Sequence, residues 1–116
     1  MSELTIDVKD APVAGAKYLT CAGEIDAHTC GQMDTAFTTA LDEGTRYIIV
    51  DLSRVSYMAS RGLGVFLNAR KLLESRGGNL ILVAPNDIVE STIGVLGFDS
   101  IFTIVATEAE AVKAAG

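Results

Sequence analysis

The chain is short of the residues that build the most readily recognised sites. It has two cysteines, Cys21 and Cys30, and one histidine, His28, among 116 residues. The cysteines lack a Cys-x-x-Cys spacing and no histidine cluster accompanies them, so neither a disulfide framework nor a zinc site is predicted. Both read as small core residues in a reducing compartment. Basic residues are also scarce: nine Lys and Arg against fifteen Asp and Glu give a formal net charge of -6. Nucleic-acid binding relies on clustered Lys and Arg facing phosphates, so DNA and RNA are not expected as direct partners. No apolar run approaches the ~20 residues that span a bilayer. The first residues show no basic stretch followed by an apolar one, so no secretory signal is read there. The expectation is a cytoplasmic chain without membrane insertion.

Apolar residues make up 49% of the chain, charged residues 21% and aromatics 6%. That balance supports a packed interior rather than disorder. Single cores of about 100 to 150 residues are the commonest size, so one domain over residues 1–116 is predicted.

Residues 5–8 and 18–21 are short β-prone runs around Ala11-Pro12-Val13-Ala14-Gly15, which predicts an opening hairpin. Thr29-Cys-Gly-Gln32 has the form of a capping box. Behind it Met33, Ala36, Phe37, Ala40 and Leu41 recur at helical spacing, and Gly44 stands where a left-handed terminal residue is wanted. Residues 47–50, ending at Asp51, and residues 80–83 are continuous apolar runs, the pattern of strands covered on both faces. Between them residues 61–76 form an amphipathic helix. Arg61, Gly64, Asn68, Lys71 and Ser75 take its polar face, and Val65, Phe66, Ala69, Leu72 and Leu73 the other. Gly77-Gly78 ends it, so the two strands are predicted to be parallel neighbours joined by a crossover. Asn86-Asp87 caps a third helix that runs to Leu96 and stops at Gly97, and residues 107–110 resemble the cap of a short terminal one.

Ser60 precedes the amphipathic helix, where an N-cap hydroxyl is the ordinary reading. The same place suits a phosphate, because helix N-termini offer free N–H groups and partial positive charge. Arg61 in the first turn opposes the helix dipole unless an anion or a partner engages it, and a solvated surface Arg is the plain alternative. Asp26, His28 and Ser60 do not make a convincing hydrolase triad, since the segment Met58-Ala-Ser-Arg-Gly62 lacks the nucleophile-elbow pattern. Asp51 is like the phosphoacceptor of a bacterial receiver domain in ending an apolar strand, but the earlier acidic pair and the five-fold strand–helix alternation are missing. Gly62-x-Gly64 lacks the third Gly of a dinucleotide fingerprint and reads as close helix packing.

The segment Asp51-Leu-Ser-Arg-Val-Ser-Tyr-Met-Ala-Ser60-Arg-Gly-Leu-Gly64 resembles the signature of STAS domains, in which a strand ending Asp-Leu leads through an aromatic and an Asp-Ser-Ser-Gly-like stretch into a helix. Gly23-Glu-Ile-Asp26 with Thr29 resembles the family's Gly-Glu-Leu-Asp segment, and Leu96-Gly-Phe-Asp-Ser-Ile-Phe102 its Leu-Gly-Leu-Asp-x-Ile-Phe segment. The resemblance implies an α/β fold, a STAS-like mixed sheet of about four to six strands that starts with a hairpin and carries about four helices mainly on one side. It also implies an anti-sigma factor antagonist: a non-enzymatic module that binds an anti-sigma factor serine kinase, is released when that kinase phosphorylates the signature Ser, and is restored by a serine phosphatase. Carried over, Ser60 is the phosphoacceptor and Asp26 the acidic neighbour. The expected partner surface is Asp26, Ser60, Arg61, Gly64, Asn68 and Lys71. No catalytic residue, metal or cofactor is assigned. The family's Asp before the acceptor is Ala59 here and its second Ser is Arg61, which shifts local charge toward positive. A non-switching scaffold or a transporter-associated subunit is the alternative reading.

Overall fold

Residues 3–115 are described in a computed structural model of the chain. The opening hairpin pairs β1 (Leu4–Asp10) with β2 (Ala16–Ile25) antiparallel, from Leu4 opposite Gly23 to Asp10 opposite Lys17. Next come α1 (Cys30–Asp42), β3 (Tyr47–Met58), α2 (Ser60–Glu74), β4 (Asn79–Val83), α3 (Asp87–Val95), β5 (Thr103–Val105) and α4 (Glu108–Ala114). The strands lie in chain order, β1-β2-β3-β4-β5, and every pair after the first is parallel. The mixed sheet that starts with a hairpin is thus observed.

Side chains alternate across a strand, so each central strand supplies two layers. Leu19, Cys21, Ile48, Val50, Leu80 and Leu82 join the core beneath α1, α2 and α3. Tyr18, Ile49, Ile81 and Val83 form a smaller core with Ala111 and Ala115 at α4. Three helices therefore share one face and the short terminal helix covers part of the other. Phe37 of α1 meets Phe66 of α2 edge-on, with ring centroids 5.2 Å apart, locking the two helices together. Of the predicted α1 residues Met33, Phe37, Ala40 and Leu41 are buried and Ala36 is partly buried, and Gly44 has φ of 84°.

Several local expectations are corrected. Thr29 and Gln32 do not form a capping box: the Thr29 hydroxyl donates to Glu24 O at 2.7 Å, while Gln32 Nε2 donates to Leu4 O at 3.1 Å. Both side chains are drawn to β-strand carbonyls, so they tie α1 to the hairpin. Asp51 is not at a strand end, because β3 continues to Met58 alongside the long β2. Leu72, placed on the apolar face of α2, is 44% exposed. The strand β5 carried no separate signal, being three half-buried residues long. The third helix is capped as predicted: Asn86 Oδ1 accepts from the Val89 amide at 2.8 Å. Thr107 caps α4 by accepting from the Glu110 amide at 3.2 Å.

Candidate functional site at the carboxyl ends of the central strands

Open α/β sheets place their functional loops beyond the carboxyl ends of parallel strands. Here the ends of β2 and β3 coincide: Ile25 pairs with Met58, and the Ala59 amide then donates to Ile25 O at 2.8 Å. That last hydrogen bond sends Asp26 and Ser60 out of the sheet side by side. The β2 end leads into a hydrogen-bonded turn. Asp26 Oδ1 accepts from the His28 amide at 2.9 Å and the Thr29 amide at 3.2 Å, and the Thr29 hydroxyl accepts from the Asp26 amide at 3.0 Å.

Glycines make the close approach possible at two points. A Cβ on Gly23 would stand 2.1 Å from Glu3 O, and the residue has φ of 118°. A Cβ on Gly62 would stand 2.5 Å from Ile25 Cγ2 and 3.1 Å from Ile25 O. The first turn of α2 therefore rests directly on the end of β2. Gly64 meets no such neighbour within 4 Å and is exposed, so close packing explains Gly62 alone of the two.

The helix cap differs from the sequence expectation. Ala59 is the N-cap, extended at φ -86° and ψ 161°, and Ser60 is the first helical residue. The cause is the Ala59–Ile25 bond, which holds Ala59 in strand-like geometry as the cap and so starts the helix at Ser60, one residue earlier than expected. Leu63 N–H reaches back to Ala59 O at 3.1 Å, whereas the preceding amides of the first turn lie before the ladder begins. Ser60 is exposed amid these donors, no acidic residue occupies the first turn, and Arg61 beside it is also exposed. This is a place where an anion on Ser60 gains from the helix terminus and the guanidinium together.

Arg61, Gly64, Asn68 and Lys71 are all exposed and recur at three- and four-residue steps along α2, so they form one continuous ridge leading away from Ser60. Of the six predicted site residues, Asp26, Ser60 and Arg61 thus lie at the carboxyl ends of β2 and β3, while Gly64, Asn68 and Lys71 follow along α2 as it runs back toward the start of β4. Sequence reasoning missed Tyr57, next to last in β3 and 44% exposed while its neighbour Met58 is wholly buried. Its alternation with Met58 was the available signal, and exposed aromatics are frequent anchors of protein interfaces. Asp51 lies deeper, half-buried in β3, where it accepts from the Tyr18 hydroxyl at 3.3 Å and the Ser53 amide at 2.9 Å. Burial, with Asp51 second, pushes the Tyr18 hydroxyl up to about 12. Among the described residues no group of three or more His, Cys, Asp and Glu side chains is placed to hold a metal ion. No helix of the described residues is long and apolar enough to cross a membrane.

Residues 6–111 match the family model of the STAS domain. An anti-sigma-B factor antagonist of Listeria monocytogenes is 36% identical over 89 residues, which are 77% of this chain and 78% of that protein. Among solved structures, the unphosphorylated form of the anti-sigma factor antagonist SpoIIAA superimposes with a TM-score of 0.80 at 26% identity, over 94% of each chain. The phosphorylated form of SpoIIAA from Bacillus gives 0.72 at 26% identity, covering 94% of this chain and 97% of that one.

Proposed function

The chain belongs to the STAS domain family, and from that premise we propose that it is an anti-sigma factor antagonist switched at Ser60. Unmodified, it binds an anti-sigma factor serine kinase through Ser60, the α2 ridge of Arg61, Gly64, Asn68 and Lys71, and the adjoining Asp26 turn. Phosphorylation of Ser60 by that kinase releases it, and a serine phosphatase restores binding. Release of the anti-sigma factor then sets sigma-factor-dependent transcription.

The observation that carries this reading is the position of Ser60: exposed, first in α2, and held beside Asp26 by the Ala59–Ile25 hydrogen bond. Magnitudes decide how the switch works. An anion at a helix N-terminus is worth ~0.3 to 1 kcal/mol, whereas inverting a two-state equilibrium takes about 5.5 kcal/mol. A phosphate on Ser60 is therefore too small an influence to refold the domain. Placed inside an interface, its roughly two negative charges must be desolvated or repelled, and that removes binding directly. The likeness of this chain to both forms of SpoIIAA supports a switch on a constant fold.

The test sets wild type beside Ser60→Asp in affinity capture from the native host lysate, with mass spectrometry of the retained proteins. Recovery of a histidine-kinase-like anti-sigma factor by wild type alone is the expected result. Urea unfolding runs in parallel, where Ser60→Asp is expected to be as stable as wild type or more stable by ~0.3 to 1 kcal/mol, since the new carboxylate sits at a helix N-terminus. Equal capture by both forms refutes the switch and leaves a constitutive scaffold.

A further inference from the structure

The sheet has a long open edge that the proposed function leaves unused. Among the described residues strand β1 pairs on one side only, with β2. In an antiparallel ladder alternate residues turn their backbone groups toward the partner, and those between them turn outward. The Glu24 amide donates to Glu3 O at 2.9 Å and the Ala11 amide to Ala16 O at 3.1 Å, which sets the odd-numbered residues of β1 toward β2. Leu4, Ile6, Val8 and Asp10 therefore carry the outward-facing N–H and C=O groups. One of these is already covered: Leu4 O accepts from Gln32 Nε2 at 3.1 Å. The open stretch is thus Ile6 to Asp10, at whose centre Val8 is 47% exposed.

We propose that this edge pairs with the same edge of a second copy, antiparallel and centred on Val8, to form a two-fold dimer with one continuous sheet. In that register Val8 exchanges both backbone hydrogen bonds with Val8 of the other copy, and Ile6 exchanges both with Asp10. Asp7 then stands opposite Lys9 on each side of the axis, and opposite charges facing across strands are favourable. Neighbouring registers are rejected by named residues. Centring on Asp7 sets two Asp7 carboxylates face to face. Centring on Ile6 requires the Leu4 carbonyl, which Gln32 occupies. The groove beside the strand, about 450 Å³, is lined among the described residues by Ile6, Val8, Gly31, Gln32, Thr35 and Ala36, none of them charged.

Val8 pairs with Leu19, six residues before Ile25 at the end of β2. At about 3.3 Å per residue the two-fold axis lies roughly 20 Å from the Ser60 end of the sheet. The dimer leaves both Ser60 surfaces open, so it presents two sites at once.

Sedimentation equilibrium over a hundred-fold range of concentration tests the proposal. Wild type is expected to pass from the mass of one chain to that of two. Asp7→Lys and Lys9→Asp, each of which sets like charges opposite one another, are expected to weaken the association at least several-fold. The double variant carrying both changes is expected to restore it, because the pair is only inverted. A wild type that stays monomeric, or single variants that associate as wild type does, overturns the proposal; so does a double variant that remains as weak as the singles. Amide hydrogen exchange on the unmodified protein gives a reading free of any folding defect. The Ile6, Val8 and Asp10 amides are expected to gain protection as concentration rises, while the Asp7 and Lys9 amides are protected throughout. Concentration-independent exchange at Val8 refutes the edge as the interface.

Discussion

The same substitution at two glycines of one helix tests how α2 is seated on the sheet. Gly62→Ala places a Cβ 2.5 Å from Ile25 Cγ2 and 3.1 Å from Ile25 O. Neither neighbour yields readily: Ile25 is wholly buried and β-branched, and its carbonyl accepts the Ala59 amide. Overpacking of this kind costs about 1–3 kcal/mol. Gly64→Ala meets nothing within 4 Å, so only the helix preference for Ala over Gly acts, a gain of up to about 1 kcal/mol. Any propensity gain at Gly62 is of the same kind, so the difference between the two variants isolates the contact with Ile25. Urea unfolding followed by far-ultraviolet circular dichroism is expected to separate them by roughly 1–3 kcal/mol, on the order of 1 M in midpoint at an unchanged slope. Gly64→Ala is expected above wild type and Gly62→Ala below it. Equal midpoints for the two variants refute the claim that α2 rests on the end of β2, and with it the account of how Ser60 is set beside Asp26.

Asn86→Ala removes a side chain that caps α3 at the Val89 amide and also donates to Val55 O at 2.9 Å. A loss of about 0.5–2 kcal/mol is expected, with the hydrogen-exchange protection of the Val89 amide falling first. Tyr18 titrates in the folded protein at about 12, against about 10 for an unperturbed tyrosine, because burial and Asp51 disfavour the phenolate. The folded state then binds more protons than the unfolded one above pH 10, so this contribution is complete below pH 10 and is lost as pH rises toward 12. Tyrosinate absorbance is expected to show Tyr18 titrating late and moving back toward 10 in the variant Asp51→Asn; an unmoved Tyr18 titration removes Asp51 from the cause.

Much of this protein was legible in its residues because the signals are local. The apolar β-branched runs at residues 47–50 and 80–83 became adjacent parallel strands, and the spacing of Met33, Phe37, Ala40 and Leu41 became the buried face of α1. Asn86 and Thr107 cap the helices they were expected to cap, since a side chain that accepts a hydrogen bond three residues on needs nothing distant. The order of motifs around Asp26, Ser60 and Gly64 pointed to the family, and the polar face of α2 was evident from its period. Partners drawn from elsewhere in the chain decided the rest. Thr29 and Gln32 have the spacing of a capping box, yet carbonyls of β2 and β1 lie within their reach and take both side chains. Ser60 became the first helical residue because Ile25, far off in sequence, fixes the amide of Ala59. Gly62 and Gly64 are indistinguishable as letters, and only the approach of β2 makes one of them indispensable. The open edge of β1 follows from strand order, which no single strand encodes: sequence determines which segments extend and which coil, while the tertiary structure determines whose backbone groups are left facing outward.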